Sequence, residues 1–169
     1  MEGRNKNAAT LFTYRWLSVS DSKACAVVDA TLLNQVTWAE EEFIWRLQRK
    51  AYHHLGAFSE GKLIGYAGIR LITKRRQSVG VLFYNMAVAT PFQGQGVGRE
   101  LMNQMMVKAS EIGPGLPMSL EVVASNVSAI ALYESFGFKT KKQKEYHEPL
   151  YKTMPLPFSG SATICEMVR

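Results

Sequence analysis

The residues best suited to chemistry begin where an apolar run, Asn85 to Ala89, ends in Gln93-Gly94-Gln95-Gly96-Val97-Gly98-Arg99. A strand that turns through glycines into a long helix leaves the helix's first N–H groups without partners and pointing outward. With the helix dipole, those groups form a site for an anion such as a pyrophosphate. Glycine suits the turn because a side chain would block close approach of the phosphates. A Walker A loop is excluded, because no Gly-Lys-Ser/Thr follows. The dinucleotide fingerprint fails too, because Arg99 stands where its third glycine belongs. What remains is Gln93-x-x-Gly96-x-Gly98, which by itself also fits a glycine turn without a ligand.

The second group of reactive types lies about thirty residues on, in Leu120-Glu121-Val122-Val123-Ala124-Ser125-Asn126 and the following segment to Phe138. Glu121 can act as a base and Tyr133 as a neutral acid near pH 7. Taken alone, Glu121 equally fits a solvent-facing strand carboxylate. Asn126 or Ser125 fits a helix N-cap, and Tyr133 a core aromatic with a wet hydroxyl. Elsewhere, His53 and His54 are neighbours on an expected strand, so their side chains point opposite ways and make a poor metal pair. No metal site is expected. Lys74, Arg75 and Arg76 read as a solvated hairpin tip.

These groups need a scaffold. The apolar spacing predicts strands over 10–19, 55–59, 63–71, 79–89 and 118–124, with a further strand beginning at 140–144 and a last one over 162–168. Helices are predicted over 24–33, 38–50, 96–112 and 126–136. Acids at Glu40, Glu41 and Glu42 and bases at Arg46, Arg49 and Lys50 suit the two ends of the second helix. The helix over 96–112 is strongly amphipathic, with Val97, Leu101, Met105 and Ile112 on one face. Residues 148–160 contain Pro149, Pro155 and Pro157 and read as a long loop. The order is strand, two helices, a meander, then strand–helix–strand–helix–strand. It predicts a mixed α/β domain over 1–169, with one central sheet that is antiparallel in its first half.

The composition bounds the function. With 169 residues, the chain fits one domain. Twenty Lys and Arg against fourteen Asp and Glu give a net charge of +6, which favours anionic ligands. The basic residues are dispersed, so no specific nucleic-acid site is expected. No apolar run is long enough to span a membrane, and the polar start, Met1 to Thr10, lacks a signal-peptide core. Cys25 and Cys165 are far apart in sequence, which fits a reducing cytoplasm without a structural disulfide.

Together, the two reactive segments resemble the GNAT acetyltransferases. That family pairs a Q-x-x-G-x-G turn with a later N-x-x-A-x-x-x-Y…G-F segment, matched here by Gln93 to Gly98 and by Asn126, Ala129, Tyr133, Gly137 and Phe138. The match runs from Phe83 to Phe138. Within the superfamily the chain looks most similar to the ribosomal-protein alanine N-terminal acetyltransferases. Leu120-Glu121-Val122, Tyr133-Glu134-Ser135, Trp38-Ala39-Glu40 with Phe43, and the Tyr146-His147 pair carry that likeness. Residues 149–169 depart from the short hairpin of that subfamily.

The resemblance implies a GNAT-like, mostly antiparallel sheet flanked by helices, with acetyl-CoA as co-substrate. It implies that the backbone of Met86, Ala87 and Val88 lies along the pantetheine and acetyl group. Gln93, Gly94, Gln95, Gly96, Val97, Gly98 and Arg99 would take the pyrophosphate, and Asn126 the pantetheine arm. Glu121 would be the base, directly or through water, and Tyr133 the acid for the leaving thiolate. The expected acceptor is a protein N-terminal α-amine, with residues 146–160 and His147 on the acceptor side. The expected partners are that acceptor and acetyl-CoA, with the enzyme a monomer or homodimer. A small amine such as a polyamine, amino acid or aminoglycoside is the alternative acceptor, and a non-catalytic acyl-CoA-binding module the alternative class.

Overall fold

The computed structural model describes residues 11–32, 37–146 and 162–169. In chain order the elements are β1 Thr13–Trp16, α1 Ser22–Ala30, α2 Glu40–Leu47, β2 Tyr52–Ser59, β3 Lys62–Lys74, β4 Gln77–Val88, α3 Val97–Ile112, β5 Met118–Val123, α4 Val127–Ser135, β6 Lys139–Tyr146 and β7 Ala162–Val168. Every predicted element is present, with ends moved by a few residues. Ahead of the expected first helix, a short 3-10 turn, Val19–Asp21, leads into α1. Asp21 ties that turn to β1 through Arg15, whose Nη2 donates to Oδ1 over 2.8 Å. The Arg15 partnership lowers the Asp21 carboxyl to about 2.

One seven-stranded sheet runs in the order β1-β2-β3-β4-β5-β7-β6. Only β4 and β5 pair in parallel; the other neighbours are antiparallel. The antiparallel character therefore extends past the expected first half. β7 inserts between β5 and β6, because a strand returning from the far end of the chain can pair with both edges at once.

Helices cover both faces. Leu101, Met102 and Met105 of α3 pack with Ile69, Val81, Phe83, Leu120 and Val122, and α4 adds Leu132 and Tyr133 to that side. On the other face Cys25, Val28 and Phe43 of α1 and α2 pack on Tyr66 and Ala87. Both cysteines are free and buried. The β3–β4 hairpin turns at Arg75 and Arg76, both with positive φ, and its tip is exposed as expected. No helix among the described residues is long and apolar enough to cross a membrane.

Candidate functional site

The site originates in an irregularity of β4. Ile69 pairs with Phe83, but the next residue of β3, Gly68, pairs with Asn85, so Tyr84 is an extra residue in the strand. A bulge of this kind bends the strand and reverses the facing of the side chains beyond it. Phe83 belongs to the α3/α4 core; past the bulge, Met86 and Val88 take that side, while Ala87 turns to the α1/α2 core.

The bulge also ends the pairing with β5. The two strands match only at Val81 with Met118, Leu82 with Ser119 and Phe83 with Leu120. Beyond those pairs they splay, while β5 stays bound to β7 as far as Val123. The N–H of Ala89 donates to the Ile64 carbonyl of β3 over 2.8 Å. Backbone groups alternate along a strand, so the Ala87 N–H also faces β3 and those of Met86 and Val88 point into the gap. Of the three residues expected along the pantetheine, two therefore point their N–H groups into the gap and one does not.

The glycine turn closes one end of the gap. Gly94 and Gly96 have φ of +73° and +85°, a conformation that favours glycine, and a Cβ on either would meet no atom within 4 Å. The neighbouring glutamines brace the turn with their side chains. Gln93 Nε2 donates to the Val88 carbonyl and Gln95 Nε2 to the Pro91 carbonyl, each over 2.8 Å. Gly96 caps α3 without a side-chain bond, and the first helical N–H bonded within α3 is that of Glu100, to Gly96. The preceding N–H groups are left for a ligand. Val97 contributes backbone alone, because its side chain is buried in the core. The Arg99 guanidinium lies over the Phe136 ring at 5.6 Å, exposed to solvent. Open space beside two left-handed glycines, with orphan donors around it, fits a diphosphate group.

α4 completes the wall. A Cβ placed on Gly98 would lie 3.7 Å from Leu132 and 3.8 Å from Val88, so the start of α3, the end of β4 and α4 meet there. Asn126 caps α4, its Oδ1 accepting from the Ala129 N–H over 3.2 Å. The capping role is realised, and it occupies the carbonyl side of the amide. Tyr133 is half-buried with its ring edge-on to Phe138 at 6.3 Å, and burial pushes its phenol up to about 12. Glu121 is exposed and sits between the core residues Leu120 and Val122, so it projects from the α1/α2 face of β5. Its cross-strand partner is Glu166, which is bound by Lys144 over 3.1 Å. Glu121 thus lies on the α1/α2 face of the sheet and Tyr133 on the α3/α4 face.

The α1/α2 face holds an aromatic and polar cluster that sequence reasoning did not identify. Trp38 stacks on Tyr84 at 5.8 Å, and the Arg46 guanidinium lies 3.8 Å above Trp38. The Tyr84 hydroxyl meets His54 Nε2 at 2.6 Å, and burial lowers that imidazole to about 3. His53 instead lies edge-on to Trp16 at 6.4 Å, so the two histidines diverge as expected. Among the described residues no three His, Cys, Asp or Glu side chains gather as a metal site. His147 and the loop over 148–160, expected on the acceptor side, lie outside the described residues.

The profile of the Acetyltransferase (GNAT) family matches residues 20–138, a longer stretch than the motifs alone span. The chain is 32% identical over 124 residues to the N-alpha-acetyltransferase RimI of Mycobacterium tuberculosis, covering 73% of this chain and 75% of that protein. It is 30% identical over 112 residues to the ribosomal protein bS18-alanine N-acetyltransferase of Escherichia coli, covering 66% and 71%. The crystal structure of the ribosomal-protein-S18-alanine N-acetyltransferase from Escherichia coli superposes with a TM-score of 0.76 and 25% identity, covering 94% of this chain and 92% of that one.

Proposed function

The chain belongs to the GNAT acetyltransferase family, and from that premise we propose that it moves the acetyl group of acetyl-CoA onto the α-amine of a protein N-terminus, a ribosomal protein being the leading candidate. One observation carries this reading: β4 and β5 part beyond Phe83 with two strand N–H groups aimed into the gap, a carboxylate lying on one face of the sheet and a phenol on the other. The similarity to α-amine acetyltransferases over 66% and 73% of the chain supports the acceptor type. Two free, buried cysteines are consistent with work in a reducing cytoplasm.

Acetyl-CoA supplies an acyl group already activated as a thioester. The N–H groups from Gly94 to Arg99 hold its diphosphate, and Asn126 has amide hydrogens left for the pantetheine arm. Met86 and Val88 donate to the thioester oxygen, where negative charge grows as the amine attacks. Each such donor contributes about 2.7–4 kcal/mol when it is preorganised in this way. Glu121, from the α1/α2 face, accepts the proton that the amine loses, directly or through water. As the N–C bond forms and the C–S bond breaks, Tyr133 hydrogen-bonds the sulfur and gives it a proton. A phenol near 12 carries that proton at any working pH.

The acceptor type follows the same logic. An α-amine has a pKa of about 7.7–8.0 against ~10.4 for lysine, so a useful fraction is already neutral near pH 7. A carboxylate suits the first and is poorly matched to the second. Peptides with free and blocked N-termini, offered beside polyamines and amino acids, test this, with products located by mass spectrometry. Acetylation at the α-amine, abolished by blocking it while lysines remain, is the expected result. Modification confined to lysines or to the small amines would overturn the acceptor assignment.

A further inference from the structure

Asp29 is a buried carboxylate that the reaction above does not use. It lies on α1 with 2% of its surface exposed. One of its oxygens accepts the hydroxyl of Tyr66, a fully buried residue of β3. The other accepts the backbone N–H of Trp38 over 2.5 Å. Tyr66 in turn accepts from Asn85 Nδ2 over 2.9 Å. A single line of hydrogen bonds therefore runs from the residue before Met86, on β4, through β3 and α1 to Trp38, just ahead of α2.

Both ends of this line border the gap. Trp38 stacks on Tyr84, the bulge residue at which β4 leaves β5. Glu121 projects from the same α1/α2 face, so an amine approaching it passes this wall and not the glycine turn. We propose that Asp29 is a positioning residue for the acceptor: with Tyr66 and Asn85 it locks the Trp38–α2 wall to the strand that receives the thioester. The inference rests on the acetyl-transfer reading for its kinetic consequence and on the hydrogen-bond line alone for its structural one.

The chemistry requires a carboxylate at this position. Asp29 accepts two bonds and donates none, while the Tyr66 oxygen already accepts from Asn85 and must donate onward. An amide in place of Asp29 has one acceptor oxygen for two donors, so either the Tyr66 hydroxyl or the Trp38 N–H would face an NH2 group, inside a core where an unmade bond is costly.

The test uses Asp29→Asn, Tyr66→Phe and the milder Asn85→Ala, which cuts the line at its half-buried end and leaves the two bonds to Asp29 intact. The acceptor peptide KM is expected to rise by about tenfold in the first two variants and less in the third, the scale of losing one oriented polar contact. Acetyl-CoA affinity and kcat should stay within about twofold, since neither cofactor donors nor reacting groups are touched. Hydrogen exchange should quicken across residues 38–47 and remain unchanged over 97–112. Peptide KM at the parent value in a folded variant would overturn the proposal. So would an equal loss of acetyl-CoA affinity, or unchanged exchange over 38–47. If the parent protein acetylates no N-terminal peptide, the functional reading fails instead, and the exchange measurement still decides whether Asp29 holds the wall.

Discussion

The two sides of the gap between β4 and β5 are built from different materials. On the α3/α4 side the contacts proposed for acetyl-CoA are mostly main chain: strand N–H groups at Met86 and Val88, and the orphan donors that follow Gly96. Side chains there mostly brace the turn, as Gln93 and Gln95 do. On the α1/α2 side the wall is side chain throughout, from the Trp38–Tyr84 stack to the Asp29–Tyr66–Asn85 line. A main-chain site needs glycines at set intervals and tolerates many residues elsewhere. A side-chain site needs particular residues from separate elements, with no fixed spacing among them. The difference teaches that the cofactor half can be common to a large family while the acceptor half is free to diverge.

The sharpest probe of this contrast is Tyr133, the side chain given the proton-transfer role on the main-chain side. Tyr133→Phe should keep acetyl-CoA affinity and lower kcat by about 10²–10⁴, the range for a lost general acid. Because burial holds the phenol near 12, the parent enzyme should show no activity loss from its ionisation up to about pH 10. A variant within a few-fold of the parent rate would assign that proton to another donor.

The glycines come next. Gly96→Val places a branched side chain at φ +85° and in the open space intended for the diphosphate. Acetyl-CoA affinity should fall by about a hundredfold or more, combining about 1–3 kcal/mol of backbone strain with lost phosphate contact. Gly98→Ala sharpens the point, since its Cβ would make only ordinary contact with Leu132 and Val88. Thermal stability should therefore hold while affinity drops. Parent-like isothermal titration curves for both folded variants would remove the turn from the cofactor site.

Glu121→Gln should cost about tenfold or more in turnover near pH 6.5 and progressively less toward pH 9, where the amine is neutral without help. A defect of equal depth at every pH, in steady-state rates across that range, would deny Glu121 the role of base.

The remaining effect belongs to the α1/α2 wall and is one of stability, with no change expected in the chemical step. His54 has its folded pKa lowered from 6.5 to about 3, with Arg46 and His53 adding to the effect of burial. Below pH 6.5 the unfolded chain binds a proton that the folded chain refuses, so stability is lost as pH falls toward 3. The slope approaches about 1.4 kcal/mol per pH unit for this one group. Urea titrations between pH 7 and pH 4.5 should show it, and His54→Gln should flatten it. An unchanged slope in that variant would place the acid sensitivity elsewhere.

The sequence by itself determined the element order, because apolar periodicity and glycine stops are local signals. The glycine turn proposed for the cofactor was legible there too, because a main-chain anion site depends on positive-φ glycines that only a few residue types can replace. Arg75 and Arg76 were legible as a hairpin tip for the same local reason. Tertiary structure alone decided the rest. The bulge at Tyr84 has no signature in its own residues, yet it turns Met86 and Val88 into the gap and Ala87 away from it. The insertion of β7 between β5 and β6, which sets Glu166 beside Glu121, depends on pairing across more than forty residues. Asp29, Tyr66, Asn85 and Trp38 come from three elements and a loop. No spacing rule joins them, because a buried hydrogen-bond line is specified by where helices and strands pack and not by the order in which the chain supplies them.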